Sequence, residues 1–435
     1  MPVADRWSLP RLASFLHRGS GGTAPAGCHQ PKAGATSPAP PRVALFGNFG
    51  TGNTGNESSL AAMIRSLERT RPDARLSCIC YEPEIVAAEH KIAAVSLRWR
   101  GSRHPAWRFF NRLLLHVPGE VVRIAKMLGT LANIDAMILP GTGTLDDFGT
   151  SPFEWPFDLF KWCVAAKLCG VKVAFVSVGA GPIRAPLSRW FMKTAARLAD
   201  YRSYRDEISK RFMTGIGIDT RGDEVLPDLV FSLPKPAGAA AREERPCIGV
   251  GIMSYQGWKH ASRIASPVYL TYLAKMTRFV LWLRERGYRV RLLGGDERDT
   301  RAHQDFLAML RTDATEPLGE WLIARPTATF AELMDEIDAT DLVVATRFHN
   351  VLCALMLEKP VISIGYARKN DVLMEDMGLG AYCQQIDELD VDRLIAQFEA
   401  LQASKSTLGD GLRQKLARQR AALRQQERLL ASWLP

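Results

Sequence analysis

No stretch of this 435-residue chain approaches the roughly eighteen consecutive apolar residues that cross a bilayer. Its first residues also lack the apolar core of a secretory signal, so the expectation is a protein made and kept in the cytoplasm. The eight cysteines (28, 78, 80, 163, 169, 247, 353 and 383) include no Cys-x-x-Cys pair, which removes the usual spacing of zinc and redox sites. Several lie inside apolar runs, with Cys78 and Cys80 on one face of a strand, and read as reduced, packed thiols rather than metal ligands. There is no RNP, zinc-finger or helix-turn-helix signature, so nucleic acid is the weakest partner for a net charge of +10. Acidic substrates or an anionic membrane face remain. No short internal repeat is evident.

What is present is enough apolar material, 47% of residues, to bury two cores. Residues 1–41 are rich in Gly, Ala, Pro and Ser towards their end and read as a disordered leader. From residue 43 the pattern runs strand, loop, helix: an apolar 43–46, a polar glycine loop 47–56, then Leu60, Met63, Ile64 and Leu67 at helical spacing. Further strands are expected at 76–80, 135–139, 171–178 and 201–204, with helices near 154–169 and 187–199. Residues 234–246 (PKPAGAAAREERP) read as a linker. The alternation then restarts with strands 247–252 and 289–293 and helices 268–286, 301–310 and 330–338. This predicts an α/β protein of two doubly wound Rossmann-like domains, 42–233 and 247–385, facing a cleft. A helical region, 386–435, follows; its last helix, near 409–433, either packs back across the domains or stays a solvated face.

The strongest chemical signal lies at two strand ends of the second domain. Strand 342–345 runs into Arg347 and His349 where a helix begins, and strand 361–364 runs into Tyr366, Arg368 and Lys369. Parallel strands open their carboxyl ends on one edge, which brings these cations and one imidazole together at helix N-termini. Such a site suits a small, multiply charged anion. His349 is the natural general acid or base, whereas the other seven histidines stand in no such company. In the first domain Arg205 follows a strand. Asp206 beside it fits a helix cap, and Asp228 is the carboxylate placed to pair with Arg205.

Three glycine loops end strands of the first domain. Residues 47–56 contain Gly50-x-Gly52-x-x-Gly55, the dinucleotide spacing, but the loop is long and carries Asn48, Asn53 and Asn56. Glu82 and Glu84 lie too far along for the ribose-binding acid. A loop for polar, hydroxyl-bearing ligands fits better than one for NAD. Gly141 and Gly143 open the second loop, where Asp146 and Asp147 can bind or deprotonate sugar hydroxyls or else serve as turn residues. Gly179-Ala-Gly-Pro182 forms the third.

Residues 97–127 interleave Trp99, Trp107, Phe109 and Phe110 with Arg98, Arg100, Arg103, Arg108, Arg112 and Arg123. This fits a helix on an anionic membrane surface and equally a helical insertion packed on the core with its arginines in water.

Taken together, GNFGTGNTGNE, PGTGTLDD, SVGAGP, YRSYRDEIS, LPDLVFSL and TRFHNVLCALMLEKPVISIGYARKN resemble the polysaccharide pyruvyl transferase family over residues 42–385. The resemblance implies a GT-B-like fold and transfer of pyruvate from phosphoenolpyruvate to sugar hydroxyls as a ketal, in making exopolysaccharide. It implies a donor site of Arg205, Arg347, His349 and Lys369, with the N-terminal glycine loops facing the acceptor. Phosphoenolpyruvate is then a co-substrate, and neither a metal nor another cofactor is needed. The basic insert raises a lipid-linked acceptor and contact with the inner face of the cytoplasmic membrane. Two rival readings are a GT-B glycosyltransferase using a nucleotide sugar and a non-catalytic binding protein of glycan assembly.

Overall fold

In the computed structural model, the residues described are 39–99, 104, 112, 117–235, 245–255, 267–313, 317–327 and 329–435. The leader up to residue 38, most of the basic stretch at 100–116 and the heart of the linker lie outside them.

The first half alternates strand and helix: β1 (Arg42–Phe46), α1 (Thr54–Thr70), β2 (Arg75–Cys80), α2 (Pro83–His90) and β3 (Ala93–Ser96). It continues with α3 (Val117–Leu131), β4 (Ala136–Pro140), α4 (Trp155–Leu168) and β5 (Lys172–Val178). Then come α5 (Pro186–Arg197), β6 (Tyr201–Tyr204), α6 (Glu207–Gly215) and β7 (Glu224–Val225). The central strands β1, β4 and β5 are apolar almost throughout and buried on both faces, as parallel strands sandwiched by helices must be. The sheet order is β3-β2-β1-β4-β5-β6-β7, all parallel.

The second half repeats the scheme with β8 (Cys247–Gly251), α7 (Pro267–Glu285), β9 (Arg289–Leu293), α8 (Thr300–Asp313) and β10 (Leu322–Ala324). After α9 (Phe330–Asp338) come β11 (Leu342–Ala345), α10 (Phe348–Met356), β12 (Val361–Gly365), α11 (Arg368–Asp376) and β13 (Cys383–Gln385). Its order, β10-β9-β8-β11-β12-β13, is again parallel. Each sheet therefore reverses its winding once, between β1 and β4 and between β8 and β11, and a crevice opens at each reversal. The short strands β3, β7, β10 and β13 are absent from the sequence reading because two to four residues carry too little periodicity.

Two helices close the chain, α12 (Val391–Ala403) and α13 (Lys405–Trp433). At about 1.5 Å per residue α13 is ~44 Å long, enough to cross from one domain to the other. It starts on the second domain, where Lys415 donates to the carbonyl of Asp376, and ends on the first. There Gln426 donates to Ser177 (3.0 Å) and Ser203 (2.9 Å) in a buried network, and Arg69 pairs with Glu427. Leu412, Leu416, Leu423 and Leu430 are its buried stripe. Residues 40–435 form one compact unit, and one apolar cluster runs through both halves. Cys78, Cys80, Cys163 and Cys353 are free thiols packed inside it or its neighbour. Among the described residues no helix is long and apolar enough to cross a membrane.

Candidate active site

The cleft between the sheets holds a cavity of about 410 Å³, within the ordinary range for small-molecule sites. Loops from both halves line it, and the halves touch around it. The backbone N–H of Thr54 donates to the carbonyl of Gly295 (3.2 Å), and the Asn53 amide donates to Asp296 (2.7 Å). Phe148 lies 5.9 Å from Tyr366, ring centre to ring centre.

His349 sits in the first turn of α10 and reaches across to the start of α1. A Cβ on residue 55 would lie 2.1 Å from its Nδ1, so only glycine fits there. Its Nε2 is enclosed and makes no hydrogen bond. Burial pushes the imidazole down to about 4; Asp228 pulls the other way, while Arg205, Lys369 and Arg347 add to the depression. The ring is therefore neutral at pH 7.

Arg205 leaves the end of β6 and lies over Gly179, where a Cβ would come within 2.7 Å of its Nη2. Its guanidinium is almost wholly buried, 3.3 Å from Asp206, 3.5 Å from Asp228 and 4.6 Å from the Phe348 ring centre. Asp206 also caps α6, accepting from the N–H of Ser209 (2.7 Å). Lys369 opens α11 with its ammonium 4.6 Å from the Tyr366 ring centre and no carboxylate within salt-bridge distance among the described residues. Neither α10 nor α11 has a side-chain cap, so their first N–H groups are available to an anion at the cavity.

Several residues sit otherwise than the sequence implied. Arg347 lines the cavity, but its charge is already met: Nε and Nη2 bind Asp299 (2.8 and 2.7 Å), and Nη1 lies 3.6 Å from Asp296. Burial opposes ionisation of Asp296, yet Arg298 and Arg347 hold its carboxyl below the usual range. Arg347 is thus a half-committed cation rather than a free donor ligand. Asn53 lines the cavity while its side chain caps α1 through the N–H of Asn56 (3.1 Å) and bridges to Asp296. Asp147 turns away and accepts from the backbone of Arg184 (2.9 Å) and Ala185 (2.8 Å), the turn-residue alternative. Gly141 packs on Ser59 and does not line the cavity; Gly143 does, and a Cβ there would lie 2.4 Å from Asp146 Oδ2. Asn48 and Asp146 both face the cavity. Burial pushes the Asp146 carboxyl up, against the pull of Lys369 and Arg205.

Other lining residues escaped the sequence reading: Tyr81, Arg98, Thr142, Thr144, Trp155 and Arg298. The rule that strand ends open on the ligand edge, applied to every strand, would have found all but Trp155. Tyr81 follows β2, Arg98 follows β3, Thr142 and Thr144 follow β4, and Arg298 lies in the Gly294-Gly-Asp-Glu-Arg-Asp299 turn after β9. Among the described residues no cluster of His, Cys, Asp and Glu could hold a metal ion.

The model of the family described as polysaccharide pyruvyl transferase matches residues 53–368, from the cap of α1 to the first residue of α11. The chain belongs to that family. No curated protein matches the sequence. Among solved structures, the UDP-GlcNAc 2-epimerase of Methanocaldococcus jannaschii is 14% identical, with 82% of this chain and 91% of that one covered at a TM-score of 0.53. A glycosyltransferase from Rickettsia africae is 11% identical over 90% and 98%, TM-score 0.54. The UDP-GlcNAc 2-epimerase of Neisseria meningitidis is 10% identical over 85% and 93%, TM-score 0.52. At such identities the likeness is one of fold, and it shows that this pyruvyl transferase family member has the GT-B arrangement.

Proposed function

We propose that the protein moves the pyruvyl group of phosphoenolpyruvate onto two hydroxyls of one sugar, closing a cyclic ketal and releasing phosphate, in the assembly of an exopolysaccharide or other cell-surface glycan. The observation that carries this reading is the meeting of Arg205, Lys369 and two uncapped helix starts around the enclosed imidazole of His349. A donor with a carboxylate and a phosphate needs several fixed cations and N–H groups, which these supply.

The depressed value of His349 fits a proton carried in with the donor. Negative charge brought beside the ring favours imidazolium, so donor binding and protonation reinforce each other. His349 then gives its proton to the methylene carbon of phosphoenolpyruvate, and a sugar hydroxyl adds at C2 while losing its proton to the imidazole. The bond from C2 to the phosphate oxygen breaks, the electron pair leaving with phosphate under the field of Lys369 and the helix starts. A second hydroxyl closes the ketal, and its proton leaves with phosphate. Asp146 and Asn48 are the groups best placed to orient the hydroxyls, and Trp155, Tyr81 and Tyr366 give the sugar ring apolar faces.

Calorimetric titration with phosphoenolpyruvate, read beside phosphate release, tests this. Saturable binding is expected in the wild type and in His349→Ala, and loss of most affinity in Lys369→Ala. No donor binding by folded wild type, with binding of a UDP-sugar instead, would replace the reading with a nucleotide-sugar glycosyltransferase. Donor binding without phosphate release over a panel of glycan acceptors would favour a non-catalytic role.

A further inference from the structure

Just past the end of β4 the backbone takes a form that threonine resists. Gly141 and Thr142 are both left-handed, with φ of 57° and 60°. Glycine adopts such angles freely, whereas a β-branched residue there is an outlier that costs stability. Among the described residues three other non-glycine residues share that region, and each has an ordinary reason to be there. Lys91 and Glu358 end helices, where a single left-handed residue is common. Ser177 is wholly buried and locked to Ser203 and Gln426. Thr142 is half-buried and lines the cavity. Its carbonyl accepts from the N–H of Gly179 (2.6 Å), a bond that glycine would make as well. Strain held at a cavity wall points to a task for the side chain.

The hydrogen bonds show which task. A hydroxyl has one proton to give. Thr144 gives its own to the carbonyl of Gly141 (2.9 Å), so in the 3.1 Å contact between the two hydroxyls Thr142 is the donor. Thr142 Oγ1 therefore meets the cavity with lone pairs only. It can accept from an O–H or N–H and offers nothing to a phosphate or carboxylate, whose cations are Arg205 and Lys369. The same loop holds an aromatic wall. The Trp155 indole N–H donates to the Thr144 carbonyl (2.8 Å), and its ring stacks 5.7 Å from Phe46, centre to centre. A fixed aromatic face beside an accepting oxygen suits a sugar, whose apolar C–H face is edged by hydroxyls.

We propose that Thr142 is a specificity-determining residue for the acceptor: its Oγ1 takes a hydrogen bond from one hydroxyl of a sugar lying against Trp155. The proposal rests on the pyruvyl-transfer reading and deepens it by naming a group that selects the acceptor.

Phosphate release from phosphoenolpyruvate is measured over a panel of methyl hexopyranosides, and KM is taken for the sugar that wild type uses best. Thr142→Val keeps the branched shape and the strained backbone but has no oxygen. Its KM for that sugar should rise about three- to tenfold, the loss expected for one uncharged hydrogen bond. Phosphoenolpyruvate affinity and melting temperature should stay at wild-type values. Thr142→Ser should recover most of the loss. Thr142→Gly should show the same rise in KM yet melt no lower than wild type, because the strain leaves with the side chain. An unchanged KM in Thr142→Val overturns the proposal and leaves the pyruvyl-transfer reading standing. A lower melting temperature in Thr142→Gly also overturns it, since the side chain would then be serving the fold. Wild type that binds phosphoenolpyruvate but releases no phosphate with any sugar would remove the acceptor site, and this proposal with it. Wild type that does not bind phosphoenolpyruvate would remove the pyruvyl-transfer reading itself.

Discussion

On the C-terminal wall of the cleft, Arg347, His349 and Lys369 all lie within two residues of a helix start and point at the cavity. On the N-terminal wall the comparable residues of α1, Asn53 and Glu57, turn back onto their own loop or across to the other domain. The C-terminal wall is made of short strand-to-helix turns, which present His349 and Lys369 to a ligand while Arg347 is held by Asp299. The N-terminal wall is made of long glycine loops, where Asn53 and Glu57 help to hold the loop while Asn48, Asp146 and Arg205 reach the cavity. Helix starts therefore offer the charged side chains on one wall, while on the other Arg205 and Asp146 do so among loop residues engaged in holding the loops.

The sharpest way to break this contrast is His349→Ala. Loss of a general acid typically costs about 10²–10⁴ in rate, and here the loss should fall on phosphate release with donor affinity changed only a few-fold. A comparable fall in affinity would make His349 a binding residue.

Arg347→Ala should act on the fold first. It leaves Asp299, and in part Asp296, buried without a partner, and breaking such a pair costs ~3–5 kcal/mol. Urea denaturation should show that loss, whereas Lys369→Ala, with no carboxylate to abandon, should leave stability within about 0.5 kcal/mol. Calorimetry should give the opposite ranking for the donor. Lys369→Ala should lose ~1.5–3 kcal/mol of binding, the worth of a charge-assisted contact. Equal stability losses in the two variants would show that the pairing of Arg347 is not what distinguishes them.

The same contrast explains what could be read from the sequence. Continuous apolar strands and the Arg-x-His spacing at a strand end are local signals, so both sheets and the C-terminal wall were legible. The engagement of Arg347 by Asp299 was not, because the two are 48 residues apart and only the pairing of β9 and β11 with opposite edges of β8 joins them. For Asp146 and Asp147 the ligand and turn readings stayed open because carboxylates serve turns and substrates equally well. Only the structure tells which N–H groups they meet. The outward stripe of α3, Val121, Ile124 and Leu128, has helical period whether it faces water or core, so its exposure too was beyond the sequence.

Two half-buried titrating groups, one on each wall, give the finest test. Glu57 accepts from the N–H groups of Gly50 (2.8 Å) and Thr51 (3.2 Å), and its other oxygen is enclosed without a hydrogen bond. Burial pushes its carboxyl up to about 7, opposed by those two N–H groups and reinforced by Glu89. The folded protein therefore binds a proton that the unfolded chain gives up between pH 4.5 and 7, and stability from Glu57 is full below 4.5 and lost as pH rises through 7. His349 works in the other sense. Its folded value of about 4 lies below the ordinary 6.5, so the unfolded chain takes up a proton that the folded one refuses, and stability falls as pH drops from 6.5 to 4. Each contribution is worth at most ~3 kcal/mol over its window, and less where solvent screens it. Between pH 4.5 and 6.5 the two oppose, and their sum should change wild-type stability little. Glu57→Gln, which keeps an acceptor oxygen for the loop, should make stability fall with acid across that range. His349→Gln should make it rise. Denaturation midpoints that slope the same way in both variants would mean that the two groups do not titrate as their surroundings dictate.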